Sequence, residues 1–174
     1  VKARLAEHLE GYLQQNNPLH QYELLHMKDY PLPFVEKVWS SVNDTPEEFK
    51  ALAQKIFSAD AFIMVTPEYN GSYSPAMKNM LDHFPKQARK AFGIVTASPG
   101  AMGGIRAAQQ MQNLVAGLFG VTSPYMLIVP AVDKKFNENA ELIEPAFANS
   151  IRTFTAEFLW LAESIAGKYS TAVI

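Results

Sequence analysis

The sequence contains no cysteine, which excludes disulfide frameworks, thiolate nucleophiles, iron-sulfur clusters and cysteine-ligated zinc. Any redox chemistry must therefore belong to a bound cofactor. Charge of one sign is also scarce. Fifteen Lys and Arg stand against 17 Asp and Glu, a formal net charge of −2, and neither sign forms a run able to neutralise a nucleic-acid backbone or an anionic membrane. Long apolar runs are missing too: residues 62–65 and 126–129 fall far below the roughly 20 residues that cross a bilayer. No nucleic-acid or membrane partner is expected. His8, His20, His26 and His83 share no short ligand spacing with one another, so no metal is assigned. The chain opens on Val1 and Lys2 without a signal-peptide pattern, and the expected location is cytoplasmic.

What is present suits a packed globule. The chain has 174 residues, 48% of them apolar and 18% charged, with 11 Phe, 7 Tyr and 2 Trp. A domain of this size buries roughly two-thirds of its unfolded surface and needs no staple.

Hydrophobic spacing sets out the elements. Val1, Leu5, Leu9, Tyr12 and Leu13 recur as one helix face. Residues 21–27, with Tyr22, Leu24 and Leu25, predict a strand near a sheet edge, and Pro31 and Pro33 mark a long loop after it. Thr45, Pro46 and Glu48 combine a capping hydroxyl, a first-turn proline and a glutamate three residues after the cap, ahead of Phe49, Leu52, Ala53, Ile56 and Phe57. Residues 61–65 and 92–97 are apolar without alternation, as in strands covered on both faces of a parallel sheet. Ser74 and Pro75 open another helix, with Met77, Met80, Leu81 and Phe84 on its buried side. A further helix runs from Ile105 towards Gly120, a last strand covers residues 125–129, and Ile143, Phe147, Ile151, Phe154, Phe158, Leu161 and Ile165 mark a terminal helix.

Four strands and five helices in alternation predict one α/β domain over residues 1–174, a doubly wound parallel sheet with helices on both faces. One feature of the order is unusual. In the doubly wound order 2-1-3-4-5 the first strand lies inside the sheet, between the second and third. A chain that opens on a helix lacks that strand, so two strands would face a gap.

In such sheets ligands bind beyond the carboxyl ends of the strands, and two loops qualify. Residues 66–72 contain Pro67, Glu68 and Tyr69 ahead of Asn70-Gly71, a pair that tolerates positive φ. On the dipeptide alone a plain turn is the simpler reading. Residues 98–104 run from Ser98 through Gly100 and Met102 to Gly103 and Gly104 at a helix start, where bare backbone amides and the helix dipole suit an anion or an electron-rich ring. Taken alone this loop is neither a dinucleotide fingerprint nor a Walker loop. Asp82, His83 and Ser98 form no hydrolase triad, because no G-x-S-x-G elbow exists.

Together the loops say more. Residues 66–82, Thr-Pro-Glu-Tyr-Asn-Gly-Ser-Tyr-Ser-Pro-Ala-Met-Lys-Asn-Met-Leu-Asp, resemble the hallmark segment of the NADPH-dependent FMN reductase family, which includes azo-dye, quinone and chromate reductases. The glycine loop with Arg106 just inside the next helix is similar to the family's second signature. The resemblance implies a flavodoxin-like fold that binds FMN, with Pro67, Glu68, Tyr69 and Asn70 beside the isoalloxazine and Ser98, Gly100, Met102, Gly103 and Gly104 along its pyrimidine side. It further implies NADPH or NADH as electron donor, a small-molecule electron acceptor, and a homodimer or homotetramer. This chain departs from the family pattern twice. The family's opening hydrophobic strand and its phosphate-gripping Ser/Arg-rich loop have no counterpart, as though the front end had been lost, and His83 stands where the family often has Trp.

The expected function is that of an FMN-dependent NAD(P)H oxidoreductase, reducing quinones, azo compounds, free flavin or metal oxyanions by ping-pong hydride transfer. The flavin carries that chemistry, so no protein nucleophile or base is assigned. The alternative is a non-enzymatic flavodoxin-like electron carrier or redox-responsive binding module. Near-neutral charge favours the enzyme, since carriers tend to dock through strong charge. A third reading is that the chain without a phosphate loop binds FMN poorly.

Overall fold

Residues 91–97, Ala-Phe-Gly-Ile-Val-Thr-Ala, are buried at every position, and the domain is arranged around them. In the computed structural model, which describes residues 2–168, they form strand β2 (Ala91–Ala97). Strand β1 (Ala61–Pro67) lies parallel to β2 along its whole length, from Ala61 opposite Ala91 to Pro67 opposite Ala97. The other edge of β2 holds two short parallel pieces, β3 (Val121–Thr122) at its start and β4 (Leu127–Val129) at its end. The expected strand over residues 125–129 is thus shorter, and an unforeseen piece precedes it. Pro124 falls in the interruption and has no amide to give the ladder.

Side chains alternate across this sheet and meet helices on both faces. Phe92 and Ile94 point towards α2 (Lys50–Ser58), α3 (Pro75–Asp82) and α4 (Ile105–Gly117), where Leu52, Ile56, Met80 and Met111 close the core. Val95 and Ala97 pack with α1 (Lys2–Asn16) and α5 (Ala148–Lys168) through Leu5, Leu9, Ile151 and Phe154. Gly93 lets α5 approach, since a Cβ there would lie 2.9 Å from Phe154 Cζ. The fold is the expected flavodoxin-like α/β arrangement, and among the described residues β1 pairs with β2 alone.

Three expectations need adjustment. Residues 21–27 form no strand: residues 21–26 carry no regular structure and a 3-10 turn follows at Met27–Asp29. Leu25 and Met27 nevertheless pack with one core and Tyr22 with the cluster on the other face, so the alternation is present and only a hydrogen-bonded neighbour is lacking. Thr45 does not cap α2. Its hydroxyl donates to Ser41 O (2.9 Å), and the helix is preceded by a 3-10 turn, Glu47–Phe49. Ile143 and Phe147 lie outside α5: Ile143 is exposed, and Phe147 ends a 3-10 turn, Pro145–Phe147. Val1, assigned to the opening helix, lies outside the described residues.

Candidate functional site at the carboxyl ends of β1 and β2

Each of these two strands carries a threonine at its next-to-last position, Thr66 on β1 and Thr96 on β2, and the two stand opposite one another in the ladder. Both are buried. A hydroxyl in an otherwise apolar buried strand needs a partner, and Thr66 has two: its Oγ1 accepts Ser74 N (2.9 Å) and donates to Pro67 O (3.0 Å). The first loop is thereby tied to the strand that launches it. At its tip Tyr69 N donates to Ser72 O (2.8 Å) and Ser72 N to Tyr69 O (3.0 Å), a two-residue hairpin with Asn70 at φ 49° and Gly71 at φ 79°. Both central residues at positive φ define the turn that Asn-Gly favours. Ser74 then caps α3 by accepting Met77 N, with Pro75 in its first turn.

The second loop is held from below. Ser98 N donates to Val129 O (3.1 Å), Val132 N to Ser98 O (3.2 Å), and Gly100 N to Ser98 Oγ (3.0 Å). Gly103 (φ 61°) and Gly104 (φ 91°) turn the chain into α4, and both are required by protein packing. A Cβ on Gly103 would lie 2.7 Å from Ile128 Cγ2 and from Pro130 N; one on Gly104 would lie 3.0 Å from Thr96 Cβ. Gly100 differs, because a Cβ there meets nothing nearer than Ser98 Oγ at 3.4 Å. Among the described residues, the amides of Ala101, Met102 and Gly104 have no hydrogen-bond partner, and Thr96 Oγ1 is a buried hydroxyl without one.

The loops meet. Glu68 Oε1 lies 3.7 Å from Arg106 Nη1, a Cβ on Gly71 would lie 3.6 Å from Arg106 Cδ, and one on Gly104 would lie 3.6 Å from Glu68 Cβ. Tyr69 and Met102 are exposed apolar side chains on these loops, at 54% and 57%. Burial raises the Tyr73 phenol above its ordinary pKa, with Lys78 opposing and Asp82 reinforcing the shift, so it remains a neutral hydroxyl beside the first loop. The expected residues Pro67, Glu68, Tyr69, Asn70, Ser98, Gly100, Met102, Gly103 and Gly104 therefore belong to two contiguous loops at one end of the sheet. Sequence reasoning missed the two threonines. The available signal was a polar residue near the end of each apolar strand.

The donor set fits the edge of a planar heteroaromatic ring. Unpartnered amides stand at the head of α4, where the helix dipole favours negative charge, with exposed apolar side chains on the loops and a buried unpaired hydroxyl beneath.

A parallel sheet covered on both faces, with two loops meeting at its carboxyl ends, defines a doubly wound α/β protein, a class whose ligands bind at the strand ends. The sequence model of the NADPH-dependent FMN reductases matches residues 1–133, and the chain belongs to that family. It is 32% identical over 109 residues to an NAD(P)H-dependent FMN reductase of Schizosaccharomyces pombe, covering 60% of this chain and 54% of that protein. It is 29% identical over 140 residues to an FMN-dependent NADPH-azoreductase of Staphylococcus aureus, covering 75% of this chain and 72% of that one. The chain thus spans about half the length of the first relative. Among solved structures it resembles FerB, a flavoenzyme NAD(P)H:(acceptor) oxidoreductase from Paracoccus denitrificans, at TM-score 0.69 and 21% identity, covering 94% and 90% of the two chains. An oxidoreductase from Corynebacterium diphtheriae matches at TM-score 0.67 and 11% identity, covering 93% and 86%. These two likenesses concern the fold.

Proposed function

We propose that the chain is the flavin-binding domain of an FMN-dependent NAD(P)H oxidoreductase whose acceptors include quinones, azo compounds, free flavin or metal oxyanions. The observation that carries this reading is the junction of the two loops at Glu68, Gly104 and Arg106, within a chain of the matching family. Residues 67–70 would border the isoalloxazine, and the amides of Ala101, Met102 and Gly104 its electron-rich pyrimidine edge. Bound FMN supplies the two-electron hydride-transfer chemistry, so the protein needs no nucleophile. Its own residues hold and orient the ring, keep positive backbone dipole against the edge where charge develops, and leave the opposite face open between Tyr69 and Met102. Donor and acceptor would use that face in turn, the basis of a ping-pong order.

We also propose a homodimer or larger homo-oligomer in the cytoplasm. Phe34 is 92% exposed on a loop that Asn79 clamps to α3, its Nδ2 donating to Pro33 O (2.8 Å) and its Oδ1 accepting Val35 N (3.3 Å). A fixed, exposed aromatic flanked by Val35 and Val38 favours burial against a second copy.

The test is reconstitution with FMN, followed by steady-state NADPH oxidation with a quinone. Flavin absorbance that co-purifies with the protein and turnover above the free-FMN background are expected. Flavin retention without turnover would favour an electron carrier, and no retained flavin would remove the flavoprotein reading for this chain.

A further inference from the structure

Two strand-loop-helix units of this fold follow one plan. Thr66 and Thr96 stand two residues beyond Met64 and Ile94, which lie in the core on the α3 and α4 side, so both threonines belong to that face of the sheet. Each is followed at the same spacing by the residue that caps the next helix, Ser74 for α3 and Gly104 for α4. In the first unit the capping amide is tied to the strand: Ser74 N donates to Thr66 Oγ1 (2.9 Å).

In the second unit both halves of that bond are present and neither is used. Thr96 is fully buried and its Oγ1 has no partner. Gly104 N has none among the described residues. The two residues touch, since a Cβ on Gly104 would lie 3.2 Å from Thr96 Oγ1.

The units differ in one backbone conformation. Ser74 has the extended geometry usual for a helix cap (φ −65°, ψ 140°), and its amide reaches Thr66; Gly104 is left-handed (φ 91°, ψ 30°). Glycine takes either sign of φ without a Cβ clash, and the peptide ahead of Gly104 joins it to a second glycine, Gly103. Rotation of that peptide can exchange the two arrangements while strand and helix stay in place.

A buried hydroxyl without a partner is costly, and the nearest remedy is the free amide beside it. An arrangement that leaves both free suits a protein in which some other acceptor takes the amide. We infer that Thr96 is a positioning residue that competes with the ligand: its hydroxyl accepts Gly104 N–H while the site is empty and releases it to an acceptor atom arriving at the head of α4. Loop 98–104 then has a latched and an open position, and the open one is seen here. FMN as the competing acceptor rests on the function proposed above; the latch does not. The acceptor binds the open position alone, so its affinity is reduced by the fraction of molecules that are open. The first loop, already tied through Ser74, takes no part in this exchange.

Amide hydrogen exchange at Gly104 in the ligand-free chain, followed by NMR, tests the latch. Thr96→Val keeps the shape of the side chain and removes the acceptor, so exchange at Gly104 should quicken about 5-fold, while Gly103, bonded to Gly100 O, keeps its rate. Thr96→Ser should exchange as the parent does. FMN titration reads the competition: Thr96→Val should bind FMN about 5-fold more tightly, through faster association at an unchanged dissociation rate, and Thr96→Ser should not. Equal exchange at Gly104 in the parent and in Thr96→Val would overturn the latch. Unchanged FMN affinity in Thr96→Val would overturn the competition, and so would weaker binding, which would make Thr96 a support of the loaded loop. If Thr96→Val does not fold, Thr96→Ala carries the same comparison. A parent chain that takes up no FMN removes the flavoprotein reading, and exchange at Gly104 then decides the latch by itself.

Discussion

At the scale of the residue, Gly100, Gly103 and Gly104 look alike in the sequence and do different work. Gly103 sits at φ 61° with Ile128 and Pro130 where a side chain would go. Gly103→Ala therefore meets both a steric and a backbone penalty, and a loss of about 1–3 kcal/mol is expected in urea denaturation. Gly100→Ala has room, so its stability should stay within about 0.5 kcal/mol of the parent. If Gly100 borders the flavin, as the family resemblance implies, that substitution weakens FMN binding without weakening the fold. Glu68 and Arg106 join the loops across 3.7 Å with Arg106 largely exposed, and exposed pairs contribute at most about 1 kcal/mol. Replacing both should leave thermal stability nearly unchanged; a large drop would show that the pair braces the loops more than its exposure implies.

At the scale of the element, the α3 cap is a separable unit. Ser74→Ala removes the acceptor for Met77 N and should cost about 1 kcal/mol, whereas Ser74→Asp, which restores an acceptor, should recover most of it. Whether an element was legible in the sequence followed from how local its cause was. The hairpin at Asn70-Gly71, the α3 cap and the fully buried β2 arise from a few adjacent residues, and each stands where the pattern places it. Residues 21–27 have the alternation of a strand and the side-chain placement of one, but a ladder is a property of two segments, and no pattern within one segment supplies the second. Thr45 failed for a similar reason: its hydroxyl could accept from its own helix or donate to the turn before it, and Ser41 O won. The candidate site was legible as two loops. The threonines beneath them were not, because nothing in the sequence shows that Thr66 and Thr96 face each other across a ladder.

At the scale of the whole molecule, the exposed loop around Phe34 governs the proposed association. Phe34→Asp should shift the protein towards monomer in sedimentation velocity, with little change in folding midpoint, because the side chain is 92% exposed. A midpoint that falls by several degrees would mean the loop packs on its own domain in solution. Among the described residues no helix is long and apolar enough to cross a membrane.

The two margins of this sheet are unequal. The β3 and β4 side is chopped into pieces of two and three residues around Pro124, a poor template for a neighbour's backbone, while the β1 side runs clean for seven residues. Endless fibrils grow only when a subunit can be extended from both flanks. A chain with a single adhesive flank would stop at back-to-back pairs, so misassembly under destabilising conditions should yield small closed species rather than filaments.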